Sequence, residues 1–100
     1  MNFVIRLFSA ADKYGLKHLK RLCESYICSN VTMDCVAFAM IAGHLHDSNA
    51  IKVTCFNLIS REDCKTKEIE DWSEVHKFQS LIDEMVDYWK DQHVQLGKKN

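Results

Sequence analysis

Apolar positions along this chain recur with a helical period almost throughout. Val4, Leu7, Phe8, Ala11 and Tyr14 repeat at i, i+3, i+4 and i+7, which predicts a first helix over about 2–14. Gly15 follows, where a left-handed C-terminal cap would sit. Leu16, Leu19, Leu22, Cys23, Tyr26 and Ile27 share one face of a second helix, about 16–28, with Lys17, Lys20, Arg21 and Glu24 opposite. Ser29 and Asn30 interrupt it. Thr32 is the predicted N-cap of a third helix, and Asp34 in its first turn suits the helix dipole. That helix carries Met33, Val36, Ala37, Met40, Ile41 and Leu45, with Ala39 and Ala42 on other faces. A helix apolar nearly all round is buried centrally or contacted from two sides.

Asp47 or Ser48 caps a predicted fourth helix to about Ser60, with Ile51, Cys55, Leu58 and Ile59 facing inward. Residues 61–71 are strongly charged and are the expected mobile connection. Trp72, Val75 and Phe78 form an apolar cluster after it. A last amphipathic helix is expected over about 79–94. Leu81, Ile82, Met85 and Trp89 lie on one face, and Asp83, Glu84, Asp87 and Asp91 on the other. Gly97–Asn100 reads as a polar tail.

The chain has no proline and only three glycines, too little turn chemistry for a sheet-rich domain. The expected fold class is therefore all-α, a small array of about five to six helices. One hundred residues fit one small domain or a piece of a larger one. Phe3, Val4, Ile5, Leu7 and Phe8 crowd into six residues, and helix three is apolar on most sides. The chain alone is thus expected to leave apolar faces that invite self-association or loosen the monomer.

Charge narrows the function. Thirteen basic and 14 acidic residues leave a net charge of −1. Nucleic-acid and anionic-membrane surfaces need an excess of Lys and Arg, so neither partner is expected. Lys17, Lys20 and Arg21 form a small basic strip that reads as a solvated helix face. No apolar run approaches the ~18 residues of a membrane helix. Met1–Ala11 lacks the basic lead and cleavage site of a signal peptide, which points to the nucleus or cytoplasm. The five cysteines, Cys23, Cys28, Cys35, Cys55 and Cys64, then read as reduced thiols. None makes the paired Cys-x-x-Cys spacing of a zinc knuckle, so no metal site is expected, even with His44 and His46 present. No residue set fills named catalytic roles, and neither an enzyme nor a cofactor is expected. The enzymatic alternative is a cysteine nucleophile beside a base, which sequence spacing alone leaves open.

The run Leu7–Glu24, with its Ala-Ala-Asp-Lys-Tyr segment leading into Leu22-Cys23-Glu24, resembles the late helical part of the BTB/POZ domain. It is most similar to the MATH-BTB, speckle-type POZ branch. Cys28–Thr32 resembles the inter-helix loop there. Ile41–His46, followed by Ile51 and Lys52, resembles the next helical pair, and Trp72 falls where those proteins carry a tryptophan. Two positions depart: Gly43 stands where relatives tend to have Asp, and Arg61 where they carry Tyr.

The resemblance implies C-terminal BTB helices over 1–30, a three-box or BACK-like extension over 31–95 and a tail over 96–100. It covers neither the strands nor the early helices of the BTB domain. It further implies a non-enzymatic adaptor that links a substrate to a cullin-RING ubiquitin ligase. The cullin-contacting residues would be Asn30, Val31 and Thr32 in one loop and Ser60, Arg61 and Glu62 after helix four. Homo-oligomerisation, without cullin binding, is the alternative among binding proteins.

Overall fold

The computed structural model describes residues 1–61, 69 and 71–99, and the side chains of residues 1–60, 69 and 71–91. Among the described residues six helices follow one another: α1 (Asn2–Lys13), α2 (Lys17–Asn30), α3 (Val36–Leu45), α4 (Asn49–Arg61), α5 (Trp72–Val75) and α6 (Gln79–Lys99). There is no strand among the described residues. The fold is all-α, as the periodicity requires.

The first two helices form a hairpin because Gly15 turns the chain. It adopts φ +70°, which a Cβ would penalise, and the cap closes with Leu16 N–H donating to Ala11 O at 2.8 Å and Gly15 N–H to Asp12 O at 3.2 Å. The α3–α4 turn repeats this geometry without glycine. Asp47 takes φ 57°, and Ser48 N–H donates to Gly43 O at 2.8 Å. Ser48 then caps α4: its hydroxyl accepts from Ile51 N–H at 3.3 Å. Of the two predicted caps, Ser48 serves and Asp47 makes the turn.

The two hairpins stack. α1 packs on α3 and α2 on α4, and each pair runs in the same sense. Asn2, Ile5 and Arg6 of α1 face the α3 groove, while Asp12 at its far end meets His46 beyond the end of α3. Between α2 and α4, Glu24 meets Ser48 at one end, and Cys28 lies within electrostatic reach of Cys55 further along. The core between them holds Phe8, Ile27, Val36, Met40, Ile51 and Cys55, all essentially without exposure. Gly43 belongs to this packing. A Cβ there would stand 3.1 Å from Ile51 Cβ and from Ser48 O, so the missing side chain lets α3 approach the start of α4. The helix propensity lost by glycine, ~1 kcal/mol, is the cost of that approach.

Several expectations need correction. Helix three begins at Val36, with Cys35 at its N-cap, not at Thr32. Thr32 instead opens a turn: its carbonyl accepts from Cys35 N–H at 3.1 Å, which places Met33 and Asp34 before the helix. On α1 the buried positions are Ile5, Phe8 and Ala11, and Tyr14 is exposed, because the hairpin turn carries it off the face. On α2 only Cys23 and Ile27 are buried; Leu16, Leu22 and Tyr26 are exposed. α6 continues to Lys99, past the expected end near Val94 and into the expected tail. No proline stops it, and one glycine costs a helix only ~1 kcal/mol. Of the predicted mobile connection, 61–71, residues 62–68 and 70 lie outside the described residues, while Arg61 still belongs to α4 and Ile69 is buried against the core.

α5 and α6 close one side. Trp72 and Val75 of α5 are buried and pack toward α3, with Phe78 partly covered. α6 buries Leu81 and Met85 and leaves Asp83, Glu84, Asp87 and Asp91 exposed, as its pattern predicts.

Candidate interaction surface

The parallel sense of α2 and α4 decides where the predicted contact residues lie. Both helices finish at the same end of the array. The α2–α3 connection, Asn30–Thr32, therefore emerges toward the end where Ser60 and Arg61 close α4. Asn30 and Thr32 are exposed and Val31 is half-buried, with an extended backbone at φ −64° and ψ 137°. Ser60 is exposed. Glu62 lies outside the described residues. Asn30 is shaped by its own helix, since its side-chain amide donates to Tyr26 O at 2.9 Å. Among the described residues no hydrogen bond or ion pair joins the two segments. Met1 at the N-cap of α1, with Asn2 and Phe3, borders the same end, around an open depression shared with Thr32, Asp34 and Cys35.

The opposite end is fastened by polar groups. Asp12 Oδ1 accepts from Lys20 Nζ at 2.6 Å, and Asp12 Oδ2 lies 2.8 Å from His46 Nδ1. Lys20 Nζ also donates to His46 O at 2.9 Å. Ser48 Oγ donates to the Glu24 carboxylate. One lysine, one histidine and two carboxylates thus tie α1, α2 and the α3–α4 turn together. Hydrogen bonds from Lys20 and then His46 hold the Asp12 carboxyl below its ordinary value. Sequence reasoning saw none of these pairs, because the partners stand 8, 24, 26 and 34 residues apart.

A second feature was legible only in outline. α1 and α3 leave an apolar groove between them, lined by Ile5, Arg6, Ser9, Phe38, Ile41 and Leu45 and enclosing about 520 Å³. Phe38 and Leu45 remain exposed there, and Phe3 nearby is 69% exposed. The all-round apolarity of helix three was the signal that it has a second face to cover.

Two of the described cysteines are disfavoured as thiolates. Burial pushes the Cys55 thiol strongly up, with smaller contributions from Cys28 and Cys35, and burial raises Cys23 as well. A raised thiol is a poor nucleophile. Among the described residues no group of three or more His, Cys, Asp or Glu side chains is placed to hold a metal ion. No described helix is long and apolar enough to cross a membrane.

No protein-family model matches the chain. Two curated mouse proteins resemble it. TD and POZ domain-containing protein 3 is 34% identical over 68 residues, 68% of this chain and 19% of that protein. TD and POZ domain-containing protein 2 is 30% identical over 79 residues, 78% of this chain and 22% of that protein. The chain spans about a fifth of the length of these relatives. An all-α array whose sequence matches POZ-domain proteins over more than two thirds of its length is related to the BTB/POZ proteins.

Proposed function

We propose that this chain is a non-enzymatic protein-interaction element of a cullin-RING ubiquitin ligase adaptor of the MATH-BTB, speckle-type kind, acting in the nucleus or cytoplasm. Residues 1–30 act as late BTB helices and 31–95 as a three-box or BACK-like extension. The observation that carries this reading is the arrival of Asn30–Thr32 and the α4 terminus at one end of the array, where the resemblance puts the cullin contact. The POZ-domain relatives support an interaction role. Calorimetry of the chain with a cullin N-terminal domain tests it. The expected result is binding far weaker than nanomolar, about micromolar, because much of a full adaptor's surface is not among these residues. An Arg61→Ala substitution should weaken it further. No heat at concentrations on the order of 100 µM overturns the proposal.

The groove between α1 and α3, with Phe3, Phe38 and Leu45 exposed beside it, favours a second reading, homo-oligomerisation. Light scattering across a dilution series separates the two. A constant monomer mass removes this second reading and leaves the first.

A further inference from the structure

α2 opens on basic residues. Lys17, His18, Lys20 and Arg21 fall in its first five residues, and its first turn holds no acidic residue. Leu16 at the N-cap makes no side-chain cap hydrogen bond. The positive end of the helix dipole normally attracts carboxylates, and cations there repel it. This charge borders an open concavity. The α3–α4 turn folds against α2, and the two border this concavity of about 560 Å³, lined by Lys17, His18, Lys20, Arg21, Glu24 and Asp47.

The charges lining this concavity are unequally engaged. Lys20 is held by Asp12 and by the His46 carbonyl, so it forms a wall. The Glu24 carboxylate is taken by the Ser48 hydroxyl. Asp47 stands exposed in the turn. Lys17, His18 and Arg21 are exposed, and none of them forms an ion pair with a described residue. Lys17 and Arg21 are one helical turn apart on the same face, with Cβ atoms about 6 Å from each other.

We propose that this concavity docks a short acidic peptide segment of a partner protein, with carboxylates about one turn apart on Lys17 and Arg21. Charge complementarity selects this occupant. A nucleic acid's continuous phosphate chain needs a broad excess of Lys and Arg, which a chain of net charge −1 does not supply. Two carboxylates meet the two open cations and also offset the dipole at the start of α2. The surface lies at the N-terminal end of α2. The loop proposed for cullin lies at its C-terminal end, about 20 Å away along a 14-residue helix. The two partners would not compete.

Fluorescence anisotropy on the full chain tests the proposal, with a labelled peptide carrying Glu at i, i+4 and i+8 and a Gln counterpart as probes. The expected result is saturable binding of the Glu peptide, at least about tenfold weaker for the Gln peptide, and weakened several-fold between about 50 and 200 mM salt. Lys17→Glu/Arg21→Glu should abolish binding. It should also keep its helix content, because acidic residues suit the start of α2. Lys77→Glu/Lys90→Glu makes the same charge change elsewhere and should bind normally. Equal binding of the Gln peptide, retained binding by the first variant, or equal loss in both variants overturns the proposal. So does dissociation of a self-associated species by Lys17→Glu/Arg21→Glu, which would make the occupant a second copy. The cullin domain should leave the peptide bound; its displacing the peptide would overturn the separation of the two surfaces.

Discussion

The four-helix array and α6 are attached to the protein by different means. Between the hairpins, contact is apolar and closed: Phe8, Ile27, Met40, Ile51 and Cys55 have essentially no exposure, and the polar groups at one end satisfy each other. α6 buries Leu81 and Met85, but much of its attachment is a row of polar links near the surface. Lys52 Nζ meets Glu84 at 2.8 Å, Tyr88 donates to Asn57 at 2.8 Å, Trp89 Nε1 to Phe56 O at 3.2 Å, and Ser80 Oγ lies 3.3 Å from His44 Nε2. His44 Nδ1, by contrast, is buried without a partner. Burial of apolar area contributes more than exposed polar pairs, so the array is the stable unit and α6 the readily opened one.

The largest effect should come from the array core. Phe8→Ala should cost about 3–5 kcal/mol in urea unfolding, because Phe8 is fully buried and its removal leaves a cavity. A cost under about 1 kcal/mol would break the comparison, since it would mean the hairpins are not held by their shared core.

Gly43→Ala sharpens it. Alanine gains ~1 kcal/mol of helix propensity, but its methyl meets a β-branched side chain and a backbone carbonyl at 3.1 Å, neither of which yields easily. The expected result is a net loss of about 1–2 kcal/mol. A stabilised variant would show that α3 and α4 have room to part.

Acid should act on the array through Asp12. Its carboxyl sits below the ordinary value of 3.8 when folded, so its stabilisation is present above about pH 4 and is lost as pH falls through the lowered folded value. Between pH 6 and 3 the native protein should therefore lose more stability than Asp12→Asn. Equal losses in paired urea titrations would remove the tie from the account.

The smallest effect belongs to α6. Lys52→Ala should cost only about 0–1 kcal/mol, since Glu84 is well exposed and water screens the pair. It should speed hydrogen exchange in α6 without changing exchange in α1–α4. Slower exchange in α6 than in α2 would reverse the ranking of the two regions.

The features legible in the sequence are those set within a few residues. The inward set Ile51, Cys55, Leu58 and Ile59 follows from a 3.6-residue period, and so does the apolar face of α6. The Gly15 turn and the Ser48 cap follow from local backbone chemistry. The Thr32 cap failed for a related reason: a β-turn and a helix N-terminus draw on the same residue types, and the turn won.

For the candidate surfaces, sequence named residues but not neighbourhoods. The strip Lys17, Lys20 and Arg21 read as solvated because nothing along the chain announces that the α3–α4 turn folds against it. The face Leu16, Leu22, Tyr26 read as buried because periodicity marks a face without saying how much of it a neighbour covers.

By itself, then, the sequence determined an all-α chain, the inward face of α4 and the Gly15 and Ser48 turns, because each depends on hydrogen bonds and side chains spaced three to five residues apart. Only the tertiary structure decided that Asp12 meets His46, that Gly43 stands where two helices touch, and that α2 and α4 finish at one end. Those facts depend on which hairpin packs on which and in what sense, and the gain from burying apolar area is non-directional, so no local pattern encodes them.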